Sequence, residues 1–266
     1  FTAGATESTN FIIKGYLDYQ KYYGDGRNQV ITSNAEHKAT LHVCHFLNGD
    51  IYSNSDPSTS LFSRNNTIDR GFSALFLPVD QYAAVSPEQV EYAFTPQTAL
   101  VSLIYVNNEV GTINDACAVG RLCREHDIRF HVDATQAIGK IPFSFSGIDT
   151  MSFTAHKFYG LNGVGVLLKR EGLAIEPLIH GGASTTIYRS GTPAVALASS
   201  LAYALSMAQE EMTARTEVVR QWNQMLRREL EQYPDVVINS PETAVPHILN
   251  LSVRGIRGAA FQKALD

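Results

Sequence analysis

The chain repeats one alternation that limits its fold: a short apolar run, a polar loop, then a stretch with helical period. "ALVSLIYVNNEVG" reads as a buried strand over Leu100–Val106 ending in a polar loop. "DACAVGRLCREHD" has the spacing of an amphipathic helix, and "IRFHVDATQ" is the next strand with its loop. "QVITSNAEH", "IDTMSFTAHK" and "GVGVLLKRE" continue the series. Short continuous apolar runs between helical periods are strands buried on both faces. Such a chain predicts an α/β layer fold with a mainly parallel sheet flanked by helices. The loops that follow the strands then gather at the carboxyl edge of the sheet, where doubly wound folds bind ligands.

Residues 48–73, rich in Ser, Asn, Asp and Gly, predict an inserted surface loop over the entrance. From Pro193 to about Tyr233 the pattern predicts a long helical stretch with proline at its start. After "YPD", "VVINS" and "HILNLSV" predict two strands of a smaller α+β domain. The expected division is a large domain over residues 1–205, then a bridging helix and the start of a small domain over 206–266. The chain opens on Phe1 and stops in a helical pattern, "FQKALD", so it reads as a fragment lacking both ends.

Charge excludes some partners. Lys and Arg number 21 against 26 Asp and Glu, a net charge of −5, with no basic run that could track a phosphate backbone. Nucleic acid is therefore not expected, and no apolar stretch reaches the ~18 residues of a membrane span. Cys44, Cys117 and Cys123 form neither a disulfide framework nor a paired zinc motif, which fits a reducing, cytoplasmic setting. His42, Cys44 and His45 lack standard zinc spacing, so no metal is expected. No "GxGxxG" follows the first strand, which removes the dinucleotide-binding reading.

Five polar clusters fall after strands, each modest alone. "FTAGATES" places Gly4, Ala5 and Thr6 at a helix start, where free N–H groups bind phosphate. "HVDATQ" puts Asp133 and Gln136 at a strand end, and a buried carboxylate there needs a cation or strong donors. "EHKAT" contributes His37, "NNEVG" contributes Asn108, and "RSGT" contributes Arg189 and Thr192 in a glycine-rich loop suited to an anion. "SFTAHKFYGLNGVG" carries Lys157 among Phe153, Phe158 and Tyr159. Together they supply the parts of a pyridoxal 5′-phosphate site. Lys157 can form a Schiff base, Asp133 can keep the pyridine nitrogen protonated, and His37 can lie against the ring. Thr6, Thr154, His156 and Thr192 offer phosphate donors. The aromatic neighbours of Lys157 predict partial desolvation, which favours its amine form.

With those residues in place, the sequence resembles the cysteine desulfurase family of fold-type I pyridoxal phosphate enzymes along nearly its whole length. The resemblance is carried by "FTAGATESTN", "TSNAEHKAT", "VSLIYVNNEVGTI", "FHVDATQAIGKIP", "MSFTAHKFYGLNGVGVL", "HGG", "RSGT" and "HILNLSV". It implies that Lys157 carries the cofactor and moves the Cα proton, and that Asp133 pairs with the pyridinium nitrogen. It further implies that Gln136 and Asn108 bond near the phenolic oxygen and the substrate, and that His37 stacks on the ring as an acid or base. Ala5, Thr6, Thr154 and His156 would hold the phosphate, with Thr192 reaching over from the second subunit of a homodimer. Arg189 and Asn108 are the candidate substrate contacts. The implied reaction converts L-cysteine to L-alanine. Its sulfur passes to an enzyme cysteine, then to an iron–sulfur scaffold or another sulfur acceptor, as in iron–sulfur cluster assembly or tRNA thiolation. In the family that cysteine and a substrate-carboxylate arginine follow the "HILNLSV" strand, beyond Asp266. Thr154 stands where the family usually has Ser, and Leu161-Asn162 replaces a Pro-Lys pair. A selenocysteine lyase, or another class V aminotransferase-like enzyme, shares every residue named. A catalytically silent paralogue acting as a scaffold is the alternative from another class, and intact Lys157, Asp133 and His37 argue against it.

Overall fold

The computed structural model of the chain describes residues 1–52, 62–182 and 186–265, the side chains of 51–67 and 265 excepted. Helix α1 (Ala5–Tyr23) opens the fold and buries a stripe that includes Phe11, Ile12, Tyr16 and Leu17. Strand β1 (Gln29–Ser33), helix α2 (Lys38–Leu47), strands β2 (Asp50–Tyr52), β3 (Phe62–Thr67) and β4 (Ser73–Leu77), and helix α3 (Pro87–Tyr92) follow. Next come β5 (Thr98–Ile104), α4 (Ala116–Glu125), β6 (Arg129–Asp133), β7 (Thr150–Thr154), a 3₁₀ turn (Ala155–Phe158) and β8 (Gly165–Lys169). Helices α5 (Val195–Glu210) and α6 (Met212–Leu230), strands β9 (Val236–Ile238) and β10 (Leu251–Val253), and helix α7 (Gly258–Leu265) complete the described chain.

Six strands form the central sheet in the order β4-β1-β5-β6-β7-β8. Every neighbouring pair is parallel except β7 and β8. The sequence expectation of a mainly parallel α/β sheet is what the chain adopts. All seven positions of β5 are buried, which explains its unbroken apolar run. Alternate residues serve opposite faces: Val30 and Leu100 pack with α1 and α2, while Ile31 and Val101 pack with the α4 side. The exception at β8 follows from chain length. Only the 3₁₀ turn and a glycine-containing loop separate it from β7, too little for a parallel crossover.

Three expectations change in detail. The 193–233 stretch is two helices rather than one, broken at Glu211, and residue 205 falls inside α5. The 48–73 segment is not simply a loop: β2 and β3 pair antiparallel at its ends, and residues 53–61 lie outside the described residues. The strands read from "VVINS" and "HILNLSV" pair with each other as β9 and β10, in a two-stranded sheet separate from the central one.

Candidate active site

The site begins where α1 starts. Thr2 and Gly165 exchange backbone hydrogen bonds of 2.9 and 2.8 Å, which seats that start against β8. The cap residue of α1 is Gly4, with no side chain bonded to the first-turn N–H groups. Glu7 turns its carboxylate elsewhere: Oε2 accepts from Ala3 N at 2.9 Å and Oε1 from Arg189 Nε at 3.0 Å. The positive end of a long helix therefore faces the cavity with no side chain capping its first-turn N–H groups.

That cavity, of about 560 Å³, is lined from several strand ends at once. Ala5 and Thr6 come from α1, His37 follows β1, Asn108 follows β5, Asp133 ends β6, and Gln136 follows it. Thr154 ends β7, and His156 and Lys157 sit on the 3₁₀ turn behind it. Nine of the candidate residues thus share one wall-to-wall space. Asn162, at the Leu161-Asn162 departure, lines it too. Arg189 and Thr192 do not; they line an adjoining cavity of about 440 Å³ that shares Ala3 and Gly163 with the first.

Local bonds fix the walls. Asn107, next to Asn108, donates to Ala35 O at 2.9 Å, while its Oδ1 accepts from the N–H groups of Glu109 and Val110. The loop after β1 is thereby tied to the loop after β5. His37 caps α2, with Nδ1 accepting from Ala39 N at 3.1 Å, so the ring hydrogen belongs on Nε2. Thr154 Oγ1 donates to Val164 O at 3.0 Å and lies 3.2 Å from His156 Nδ1.

Asp133 is 4% exposed, and its Oδ1 accepts from Thr135 N at 3.0 Å. No lysine or arginine pairs with it among the described residues. Burial pushes its carboxyl above the usual range, and the Thr135 bonds pull it partly back. The opposite face of the cavity asks for an anion and this one asks for a cation. A ligand with a protonated ring nitrogen at one end and a phosphate at the other meets both demands, so the donor set fits pyridoxal phosphate.

Lys157 departs from expectation. It is exposed to the cavity rather than desolvated, because its aromatic neighbours pack elsewhere. Phe153 and Phe158 are buried in the core beneath the turn, and Tyr159 is 82% exposed with the Arg215 guanidinium over its ring at 4.8 Å.

Three residues that the sequence did not single out surround the site. Glu36 is buried with Oε1 accepting from Ser33 Oγ at 2.7 Å and Oε2 unpartnered; burial pushes its carboxyl up to about 8. Lys140 donates to Gln136 Oε1 at 2.6 Å and is drawn down to about 8, first by burial and then by Lys157. His247, from the segment before β10, has a buried, unpartnered Nε2; burial, then Lys140, draws it down to about 4. The four-residue step from Gln136 to Lys140 in "TQAIGK" was the one available signal. None of the three cysteines lines the cavity. Cys44 and Cys123 are buried with thiols pushed up, the latter to about 12, and no helix among the described residues is long and apolar enough to cross a membrane.

Comparison with known proteins finds relatives over the whole chain. The aminotransferase class-V family profile matches residues 1–266. A protein named cysteine desulfurase IscS from Dictyoglomus turgidum is 36% identical over 270 residues, covering 100% of this chain and 63% of that protein. The protein of the same name from Serratia proteamaculans is 36% identical over 270 residues, with 100% and 61% covered. A solved structure titled "NIFS-LIKE PROTEIN" superposes with a TM-score of 0.87 at 34% identity, covering 99% of this chain and 67% of that one. Another, titled "SspA in complex with cysteine", gives a TM-score of 0.80 at 29% identity, with 100% and 69% covered. The chain thus spans 61–63% of the length of these two curated relatives.

Proposed function

The chain belongs to the aminotransferase class-V family, and from that premise we propose that it is the cofactor-holding part of a pyridoxal phosphate-dependent cysteine desulfurase. The carrying observation is the two-signed cavity: an uncapped helix start and a buried, cation-less Asp133, with Lys157 exposed between strand ends. Residues 1–205 form the cofactor-holding part and 206–266 the start of a smaller one.

Pyridoxal phosphate, when bound, supplies an aldehyde for an amine and a ring that withdraws electrons from the substrate Cα. Ala5, Thr6, Thr154 and His156 hold the phosphate on α1's first-turn N–H groups and adjacent hydroxyl and imidazole. Asp133 keeps the proton on the ring nitrogen, the ion pair repaying the cost of burying its charge. His37 covers one face of the ring with its Nε2–H available as a donor. Gln136 and Asn108 orient the ring oxygen and the substrate. Lys157, whose side-chain nitrogen is bonded to no acceptor among the described residues, would as the neutral amine take the Cα proton of L-cysteine and, then as the ammonium, return it.

L-Cysteine and an enzyme thiol then give L-alanine and an enzyme persulfide. That thiol belongs outside these 266 residues, since Cys44, Cys117 and Cys123 all lie away from the cavity. The persulfide would serve an iron–sulfur scaffold or another acceptor in the cytoplasm. Thr192 completes the phosphate site from a second copy of the chain, and Arg189 contributes a substrate contact from the same loop; both line the adjoining cavity within one copy.

The test is the visible spectrum of the purified full-length protein with pyridoxal phosphate, before and after L-cysteine. A band that Lys157→Ala abolishes, and that shifts with cysteine while alanine and sulfide appear, supports the reading. A band indifferent to cysteine points to another amino-acid substrate, and no band at all sinks the enzyme claim.

A further inference from the structure

Lys157 is exposed, so burial does not supply the environment its chemistry requires. The second route to a reactive lysine is a neighbouring positive charge. Lys140 is placed to provide one. Lys140 is close enough to Lys157 for that charge to act on it, and after burial both lysines oppose a proton on His156. His247, on the other side, feels Lys140 as well. The titratable group that acts on Lys140 is therefore basic, while the carboxyl of Asp133 lines the same cavity as Gln136 and Lys157.

Lys140 is held in place by its backbone. Thr216 Oγ1 donates to Lys140 O at 3.1 Å. Gly139 before it has φ 74°, and an added Cβ there would lie 3.0 Å from the Cβ atoms of Phe158 and Ala208. Phe158 closes the turn that carries Lys157, so the Lys140 turn and the Lys157 turn are packed as one unit. From this position the ammonium donates to Gln136 Oε1 at 2.6 Å. A carboxamide has one acceptor end and one donor end. With the oxygen turned to Lys140, the NH₂ group is the end of Gln136 left to face the cavity.

We propose that Lys140 is a positioning residue of the cofactor site, fixing Gln136 with its amide donor toward the ring oxygen and setting a second positive charge beside Lys157. The proposal rests on the cofactor reading above. Both contributions act in one direction on a protonated lysine–cofactor linkage. A donor on the ring oxygen and a nearby cation each make the linkage easier to deprotonate.

The measurement is the pH midpoint of the visible band of the full-length protein reconstituted with pyridoxal 5′-phosphate. In Lys140→Met the midpoint should rise by about one pH unit, and Lys140→Arg should restore most of the difference. Gln136→Leu should also raise it. The double variant should then shift by less than the sum of the two, because part of the Lys140 effect passes through Gln136. If Lys140→Met does not fold, Lys140→Gln carries the same comparison. A midpoint unchanged or lowered in a Lys140 variant that still binds the cofactor overturns the proposal and leaves the cofactor reading intact. A wild-type protein without any band removes the cofactor reading and this proposal together.

Discussion

The backbone of Gly165 lies so close to Gly4 that a Cβ on Gly165 would stand 2.5 Å from the Gly4 carbonyl carbon. That contact sets how the uncapped start of α1 faces the cavity. Gly165→Ala should therefore push the helix start away from β8. A loss of about 1–3 kcal/mol in stability is expected, with pyridoxal phosphate binding weakened by about tenfold or more. Thermal unfolding and a cofactor titration read the two separately. Unchanged cofactor affinity would show that the helix start does not hold the phosphate.

Asp133→Asn should divide stability from catalysis. Asn keeps the acceptor for Thr135 N but removes a carboxyl that burial disfavours as a charge. The cofactor-free protein should be at least as stable as the wild type at neutral pH. Turnover of L-cysteine should fall by about 100-fold or more, as for loss of a charge aimed at the reacting group. A variant that turns over normally would remove Asp133 from its assigned role.

Asn107→Ala tests the tie between the two loops. It removes the bond to Ala35 and the acceptor for two backbone N–H groups. Its side chain lies in a residue only 2% exposed, so the cost should be about 2–3 kcal/mol. Denaturant unfolding gives this directly. Faster proteolysis at the His37 loop would locate the loosened segment.

Two buried groups predict opposite pH limbs. His131 bonds to Thr150 and Ser152 and is drawn by burial from 6.5 to about 3. Between those values the unfolded chain holds the extra proton, so stability rises with pH and is lost as pH falls. Glu36 is pushed from 4.5 to about 8. There the folded chain holds the extra proton, so stability falls as pH rises through that window. Each limb has a limiting slope of about 1.4 kcal/mol per pH unit. They oppose each other between 4.5 and 6.5, leaving acid loss below and alkaline loss up to about 8. Glu36→Gln should flatten the alkaline limb and leave the acid one. A stability profile that keeps its alkaline slope in Glu36→Gln would refute the assignment.

Much of the cavity lining was legible because it is drawn from strand ends. Asp133, His37 and Lys157 each interrupt or follow an apolar run, and a polar residue at such a place has a local signature. Lys140, Glu36 and His247 have none. Lys140 reads as a surface lysine on a turn, Glu36 as an ordinary loop carboxylate, and His247 lies 90 residues from Lys157 in sequence (247 − 157 = 90). The exposure of Lys157 was illegible for a related reason. Sequence places Phe153 and Phe158 beside it, while β7 and the 3₁₀ turn bury those rings in the core and leave the lysine on the cavity. The parallel sheet followed from the apolar runs, whereas the reversal of β8 depended on the short connection before it.

The bridge between Thr2 and Gly165 also bears on how the protein is made. It closes a loop of 163 residues (165 − 2 = 163), and the phosphate side of the cavity exists only once that loop is shut. A ribosome adding about 10 residues per second would leave α1 waiting on the order of 15 seconds for its partner strand. During that interval its apolar stripe has β1 and α2 to cover it, but its first turn has no β8 to seat against. The cavity-facing end of the helix is thus the last part of α1 to be set, and the cavity itself closes only after β8 has been made.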